Sequence, residues 1–156
     1  MGRWGRDELE EAFAHYQRVA LTAGTSGDWN PWADLFTEDA TYIEHLYGTL
    51  GGREAIRTWI TTTMAQPVNR DMQFFPIEWY VIDGNRVVAY CWNVFDPLPG
   101  MTGEYKFAVA VVLEYAGDGL WSLEEDIYNA KETDAVLARF LEDAAKAGHD
   151  LAPPPS

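Results

Sequence analysis

Two acidic segments hold the side chains of this sequence that are best suited to move protons. Residues 39–53 read DATYIEHLYGTLGGR and place Glu44 next to His45. Residues 123–129 read LEEDIYN and place three successive acids just before Tyr128. Burial raises the pKa of a carboxyl group, and an imidazole titrates near neutrality, so either type can serve as a general acid or base.

The composition of both segments predicts strands, and neighbouring residues of a strand point to opposite faces. In the first segment Tyr42 and Glu44 therefore share one face, and His45 lies on the other. Only one of Glu44 and His45 can face a given cavity, and the sequence leaves both alternatives open. The alternative to a catalytic role for Glu44 is a structural one, in which its carboxylate lies at the rim of the pocket and pairs with Arg53.

The second segment divides in the same way, with Glu124, Asp126 and Tyr128 on one face and Glu125 on the other. Asp126 is the predicted acid or base because Tyr128 lies beside it on that face. An exposed acidic strip on the outside of the sheet is an equally good interpretation of these residues.

The elements that must position these groups follow from hydrophobic periodicity and turn signals. Helical spacing predicts helices over residues 7–23, 31–36, 52–65 and 133–147. Strands are predicted over residues 40–46, 72–82, 86–95, 104–115 and 120–129, the last four joined as an antiparallel meander. Pro76 predicts a late start, a bulge or a free edge in its strand. The sequence thus predicts one α+β domain over residues 7–147, a loose N-terminus over residues 1–6 and a disordered proline-rich tail over residues 148–156.

Composition limits the classes of partner. The 156 residues hold 25 Asp and Glu against 11 Lys and Arg, a formal net charge of −14, which disfavours nucleic acid and anionic membrane. We expect no signal peptide or membrane-spanning segment, and the single Cys91 fits a cytoplasmic location. The spacing of the three histidines predicts no metal site. Aromatic residues make up 14% of the chain, which favours an aromatic-lined cavity or a flat apolar interface.

The order of elements, with the pattern GDW-x-x-W-x-x-LF-x-x-DA-T-Y-x-E followed by GREAI, resembles the SnoaL-like branch of the nuclear transport factor two-like superfamily. The resemblance spans roughly residues 7–130. It implies a cone: a strongly curved sheet wrapped around about three helices, open at one end onto an apolar pocket. Members include isomerases, dehydratases, epoxide hydrolases, polyketide cyclases and proteins that only bind, so the fold alone does not choose a reaction.

The resemblance also implies roles for individual residues. In the ketosteroid isomerases of this superfamily an aspartate base follows the first Asp of a similar DAT segment by five residues, which corresponds to Glu44. Tyr16 resembles their oxyanion-binding tyrosine, although it lies about one helical turn early and Ala20 takes the expected place. Histidines act in scytalone-dehydratase-like relatives, which makes His45 a candidate. Cyclase-like relatives use an acid from the sheet, here Asp126.

Two departures from the family patterns reduce the number of reactions that the sequence fits. Ala108 takes the place of the second oxyanion donor of ketosteroid isomerases, and no acid lies between Phe107 and Leu113. The epoxide hydrolases use an Asp-Arg-Asp pattern, and this sequence has no evident arginine on its central strands to complete it.

The sequence therefore predicts a cofactor-independent acid/base enzyme of isomerase, dehydratase or cyclase type. Its substrate is expected to be a hydrophobic, oxygenated small molecule such as a polyketide, steroid or terpenoid. A non-catalytic small-molecule binding or protein-interaction module is the alternative. We expect a homodimer through the outer face of the sheet, where Trp79, Tyr90 and Trp92 meet. The residues expected to contact substrate are aromatic: Trp29, Trp32, Tyr42, Trp59 and Tyr128.

Overall fold

The computed structural model describes residues 2–151, which form four α-helices, one short 3-10 helix (Asn69–Asp71) and seven strands. The helices are α1 (Arg6–Ser26), α2 (Asn30–Ala33), α3 (Arg53–Met64) and α4 (Ala130–Lys146). The strands are β1 (Phe36–Glu44), β2 (Gly48–Gly51), β3 (Met72–Phe74), β4 (Ile77–Asp83), β5 (Arg86–Phe95), β6 (Tyr105–Gly117) and β7 (Leu120–Tyr128). The expected α+β fold with a curved, mainly antiparallel sheet is confirmed.

The strands form one sheet in the order β2-β1-β7-β6-β5-β3, with β4 also paired to β5. The antiparallel meander predicted from the sequence is confirmed by the β5–β6 and β6–β7 ladders. The first and last long strands, β1 and β7, pair in parallel, with Tyr42 opposite Glu124 and Glu44 opposite Asp126. This pairing brings the two acidic segments side by side, although about 80 residues separate them in the chain.

One face of the sheet is buried and the other is partly exposed, as the strict alternation of burial along β6 shows. The buried face of the central strands carries small, aliphatic and aromatic side chains. Helices α1, α3 and α4 pack against the sheet on β3, β1 and β6 respectively. Aromatic side chains complete the core, among them Phe13, Phe36, Trp121 and Phe140, each at most 1% exposed. The helices therefore cover the concave face of the sheet.

Several element bounds differ from the sequence prediction for local reasons. The strand expected over residues 72–82 is divided at Phe75-Pro76 into β3 and β4, because proline has no amide hydrogen for the ladder. The glycine corner contains a short strand, β2, paired with β1. Helix α4 begins three residues earlier than predicted, since the Asn129 side chain accepts hydrogen bonds from the amides of Lys131 and Glu132.

The predicted terminal segments are partly described. Trp4 packs edge-on against Tyr115 with ring centroids 5.3 Å apart, so the N-terminal lead contacts the fold. In the predicted tail, His149 makes a 2.7 Å hydrogen bond to the carbonyl oxygen of Pro99, and Leu151 packs against the core. Residues 1 and 152–156 lie outside the described residues, and the prediction of disorder there stays a prediction.

Helix α1 crosses the sheet at Gly24, where a Cβ atom would lie 2.3 Å from the backbone carbonyl oxygen of Gln73. Alanine is the better helix former, but here its methyl group would collide with backbone that cannot move aside. We expect Gly24→Ala to lower the free energy of unfolding by about 1–3 kcal/mol, measured by urea denaturation. Gly51→Ala in β2 is the control, because that Cβ would meet no atom within 4 Å and the backbone there is not left-handed. Equal stability of both variants would contradict the close crossing.

Candidate active site

A cavity of about 250 Å³ lies between the concave face of the sheet and the helices. Its wall is mostly apolar and rich in aromatic rings. Helices α1, α3 and α4 supply one side of it, and strands β1, β5, β6 and β7 supply the other. The aromatic members of the wall are Phe13, Tyr16, Trp29, Trp32, Tyr42, Tyr47, Trp59, Phe75, Phe95, Phe107 and Tyr128.

Glu124 on β7 is the most deeply buried acid of the cavity, with 2% of its surface exposed. Its Oε1 atom accepts a 2.8 Å hydrogen bond from the Tyr16 hydroxyl and lies 3.3 Å from the Tyr42 hydroxyl. Its Oε2 atom has no hydrogen-bond partner among the described residues. The hydrogen bonds that hold this carboxyl group thus go to one of its two oxygens.

Asp126 follows two residues later on the same face of β7. Its Oδ2 atom accepts a 2.5 Å hydrogen bond from the Tyr42 hydroxyl, and its Oδ1 atom has no partner among the side chains and backbone that the structure describes. A phenol has a single proton to donate, so the shorter contact assigns the Tyr42 proton to Asp126. Tyr42 therefore lies between the two carboxyl groups.

Glu44 on β1 is the third carboxyl group that lines the cavity, and it is 3% exposed. Its Oε1 atom accepts hydrogen bonds from the Tyr128 hydroxyl at 2.6 Å and from the amide of Leu46 at 3.2 Å. The parallel register places Glu44 directly opposite Asp126. Leu46 and Tyr47, which also line the cavity, are more than half exposed, so this end of the wall reaches the surface.

Burial sets the protonation of the two acids on β7. Loss of solvent, followed by the nearby charge of Asp126, raises the pKa of Glu124 well above its usual value. Loss of solvent also raises the pKa of Asp126 to about 6, against the opposing effect of the Tyr42 hydrogen bond. Burial and the closeness of the two carboxyl groups favour a pair in which one group carries a proton and the other is ionised, which is one acid and one base in the same cavity.

The two phenols that hold these acids stay protonated for the same reason. Desolvation, with the charges of Glu124 and Asp126 second and third, raises the pKa of Tyr16 well above its usual value. Desolvation and the charge of Asp126 raise the pKa of Tyr42 in the same way. Both phenols are consequently hydrogen-bond donors throughout the physiological pH range.

His45 lies outside the cavity. Its side chain is 54% exposed, and its Nε2 atom is 2.8 Å from Oε2 of Glu125 on the opposite face of the strand pair. Strand alternation turns His45 outward once Glu44 faces inward. Of the two alternatives that the sequence left open, the structure places Glu44 in the cavity, and the position of His45 does not support its predicted acid/base role there.

The other sequence-predicted residues converge on the cavity. Tyr16 and Ala20, one turn apart on α1, both line it, as do the five aromatic residues expected to contact substrate: Trp29, Trp32, Tyr42, Trp59 and Tyr128. Arg53 does not pair with Glu44; its Nε atom donates a 2.6 Å hydrogen bond to the carbonyl oxygen of Phe36, and this corrects the proposed rim ion pair.

Glu124 is the site residue that sequence reasoning did not select. Strand alternation placed it on the same face as Asp126, which is the signal that pointed to it. Its importance depends on contacts with Tyr16 and Tyr42, which lie 108 and 82 residues away in the chain. The sequence offered no means of pairing these positions.

Few other groups in the cavity are reactive. Burial raises the pKa of the Cys91 thiol to about 12, so it stays protonated and unreactive. Across residues 2–151, no set of three or more His, Cys, Asp and Glu side chains is arranged to hold a metal ion. None of the helices in the described part of the chain has the length and apolar character needed to cross a membrane.

Comparison with known proteins gives a consistent picture of the fold. The family model described as a SnoaL-like domain matches residues 16–124. An NTF2-like protein from Anabaena variabilis superposes with a TM-score of 0.64 at 18% identity, covering 83% of this chain and 96% of its own. An LEH-like epoxide hydrolase from M. tuberculosis superposes with a TM-score of 0.62 at 18% identity, covering 86% and 97%.

A third similar structure contains a bound small molecule. It is a protein with a ketosteroid isomerase-like fold from Catenulispora acidiphila, in complex with trimethylamine, with a TM-score of 0.60 at 22% identity. The superposition covers 88% of this chain and 97% of that one. No curated protein sequence matches the chain.

Proposed function

The chain belongs to the SnoaL-like domain family within the NTF2-like fold, and from this premise we propose that it is a cofactor-independent enzyme that transfers protons on a hydrophobic, oxygenated small molecule. The reaction is an isomerisation, a dehydration or an aldol-type cyclisation. The observation that carries the proposal is the pair of carboxyl groups, Glu124 and Asp126, at the wall of a mostly apolar cavity. An apolar cavity with a few convergent polar groups is the usual form of a small-molecule active site.

In this proposal Asp126 is the general base and Glu124 is the general acid. Asp126 is the less buried of the two, its pKa is raised to about 6, and its Oδ1 atom has no partner among the described residues and can take a proton. Glu124 keeps its proton and donates it to a substrate oxygen as negative charge develops there. Tyr16 and Tyr42 hold the two acids in place, and Glu44 faces the same substrate from β1.

The reactions of two related enzyme types fit the cavity less well. An Asp-Arg-Asp site for epoxide hydrolysis requires an arginine, and none is among the described residues that line the cavity. The protonated acid of ketosteroid isomerases has no counterpart on β6, where the cavity is lined by Phe107, Val109 and Val111. Glu124 on the neighbouring strand β7 supplies a protonated acid instead, so a substrate oxygen would bind at a different place in the cone.

Base-promoted opening of 5-nitrobenzisoxazole tests the proposal without knowledge of the natural substrate. A base removes the ring C–H proton while the N–O bond breaks, and the product is a coloured phenolate. A carboxylate in an apolar cavity performs this step faster than one in water, because desolvation raises its basicity. We expect the protein to exceed the rate of acetate at equal concentration. A rate no higher than that of acetate would contradict the proposal.

The aromatic patch on the outer face of the sheet, Trp79, Tyr90 and Trp92, supports the predicted homodimer. Trp79 is 50% exposed and stacks on Tyr90 with ring centroids 5.6 Å apart. We expect light scattering to give twice the chain mass of 17.6 kDa, and Trp79→Glu to give the single-chain mass. Glu54→Gln on the exposed side of α3 is the control. A single-chain mass for the unaltered protein would contradict the dimer. The cytoplasmic location stays a prediction from the single cysteine.

A further inference from the structure

We infer that the cavity selects ligands with a protonated amine, and that the cationic nitrogen binds between Glu44 and Asp126. This inference rests on the proposed function, since the ligand is a substrate only if the protein is an enzyme. It adds a positive charge to the hydrophobic molecule proposed above. It assigns Glu44 to substrate recognition, whereas Asp126 and Glu124 carry out the proton transfers.

The charge of the wall is the first reason. Three buried or part-buried carboxyl groups, Glu44, Glu124 and Asp126, line the cavity, and the exposed Asp134 lies at its edge. Of the residues in the described chain that line it, none is Lys, Arg or His. An ionised carboxylate in an apolar site requires a counter-charge or strong hydrogen bonds to be stable. The described residues that line the cavity supply hydrogen bonds from tyrosines but no positive charge, and His45 lies on the opposite face of the strands. An organic cation therefore complements this wall.

Unpartnered oxygen atoms are the second reason. Oδ1 of Asp126 has no hydrogen-bond partner among the described residues. The hydrogen bonds to Glu44 in the described chain go to Oε1 from Tyr128 and Leu46, which leaves Oε2 to other donors. An ammonium N–H is a donor with no acceptor capacity, and its bonds to carboxylates are charge-assisted. Such a group matches a site that contains acceptors in excess.

The aromatic wall beside these carboxylates is the third reason. Tyr42 and Trp59 have ring centroids 4.9 Å apart, Tyr47 and Trp59 are 5.8 Å apart, and Trp32 and Tyr42 are 5.9 Å apart. Tyr42 is itself bonded to Asp126, and Tyr47 is three residues from Glu44. The faces of aromatic rings attract cations, by about 2 kcal/mol or more when the site is desolvated. A methylated or alkylated ammonium group bound at these carboxylates would therefore lie beside an aromatic wall.

A matched pair of probes tests the inference by binding alone. N,N-dimethylbenzylamine is protonated at neutral pH, and isobutylbenzene has the same skeleton with carbon in place of nitrogen. Quenching of tryptophan fluorescence reports on both, because Trp29, Trp32 and Trp59 line the cavity. We expect the amine to bind at least about tenfold more tightly than the hydrocarbon. Equal affinities, tighter binding of the hydrocarbon, or no binding of either probe would overturn the inference.

Glu44→Gln identifies the residue responsible. We expect it to weaken binding of the amine about tenfold and to leave the affinity for isobutylbenzene unchanged, which also shows that the cavity is intact. Glu125→Gln, one strand over and on the opposite face, is the control and should alter neither affinity. If Glu44→Gln changes both affinities equally, the assignment of Glu44 to the amine is wrong.

The result is separable from the test of catalysis. If the protein opens 5-nitrobenzisoxazole but shows no preference for the amine, the proposed acid/base function is supported and the inferred amine substrate is wrong. If the protein prefers the amine but does not open 5-nitrobenzisoxazole, the amine-binding site is supported and the proposed reaction is wrong.

Discussion

We expect Asp126→Asn to lower the rate of 5-nitrobenzisoxazole opening by about 100-fold or more, which is the usual contribution of a positioned general base. Asparagine keeps the shape of aspartate, and its amide oxygen can accept the hydrogen bond from Tyr42 that Oδ2 accepts now. What is lost is a basic oxygen in the cavity. The measurement is the initial rate of phenolate formation at saturating and at low probe concentration, so that binding and the proton transfer are separated.

The control is Glu125→Gln, which makes the same chemical change one residue away on the outer face of β7. Glu125 pairs with His45 and lies outside the cavity, so the rate should stay within about twofold of the unaltered protein. A rate that survives Asp126→Asn would show that another carboxylate is the base. Glu44→Gln would then identify it, because Glu44 faces Asp126 across the strand pair.

The pH dependence of the same reaction gives an independent check. Asp126 acts as a base only when ionised, and burial raises its pKa to about 6. The rate should therefore rise with pH and level off above about pH 7, rather than above about pH 5 as for an ordinary aspartate. A profile that is already level at about pH 5 would contradict the assignment of Asp126.

The second large effect that we expect is a gain of stability at neutral pH when the same acids are neutralised. The folded protein holds Glu124 and Asp126 with pKa values above those of the unfolded chain, mainly through loss of solvent. Between the two sets of pKa values the folded state therefore binds more protons than the unfolded state. The contribution of these groups to the free energy of unfolding is therefore fully present below about pH 4, and it is lost as the pH rises through about 6.

The magnitude follows from the Asp126 carboxyl group, whose pKa is raised from 3.8 to about 6. A shift of about two units corresponds to about 3 kcal/mol of unfolding free energy. We expect Asp126→Asn to be more stable than the unaltered protein by about 1–3 kcal/mol near pH 8 and to lose that advantage near pH 4. Urea denaturation at both pH values measures the difference directly.

Glu124→Gln should show the same sign, because its carboxyl group is the more deeply buried of the two. Glu125→Gln is again the control and should shift stability by less than about 0.5 kcal/mol at either pH. A variant of Asp126 that is less stable than the unaltered protein near pH 8 would show that the folded state does not strain this carboxylate. The activity and stability results together would show that the two acids are retained in the cavity for chemistry at a cost to the fold.

Much of the architecture could be predicted from local patterns. Helical spacing identified α1, α3 and α4 within a few residues, and turn signals such as Asp83-Gly84-Asn85 identified the meander. Two of the errors lie where a single side chain decides a boundary. Pro76 breaks a strand, and Asn129 caps α4 earlier than the periodicity indicated. Such boundaries depend on individual hydrogen bonds, which a periodic pattern does not report.

The site was predicted less completely, for a physical reason. Alternation along each strand is enough to separate Glu44 from His45 and to group Glu124 with Asp126, because the side-chain period of a strand is two. Alternation does not say which group faces inward, since that depends on the side from which the helices cover the sheet. The tertiary structure decided it by turning Glu44 into the cavity and leaving 54% of the His45 side chain exposed.

The sequence by itself therefore determined the fold class, which residues share a face of each strand, and the residue types available for proton transfer. The parallel pairing of β1 with β7 decided the rest, because it sets Tyr42 opposite Glu124 and Glu44 opposite Asp126. That pairing joins segments about 80 residues apart, and helix α1 adds Tyr16 from still farther away. Long-range register of this kind is fixed by packing of the whole sheet, so the pair of acids and the phenols that hold them exist as a site only in the folded chain.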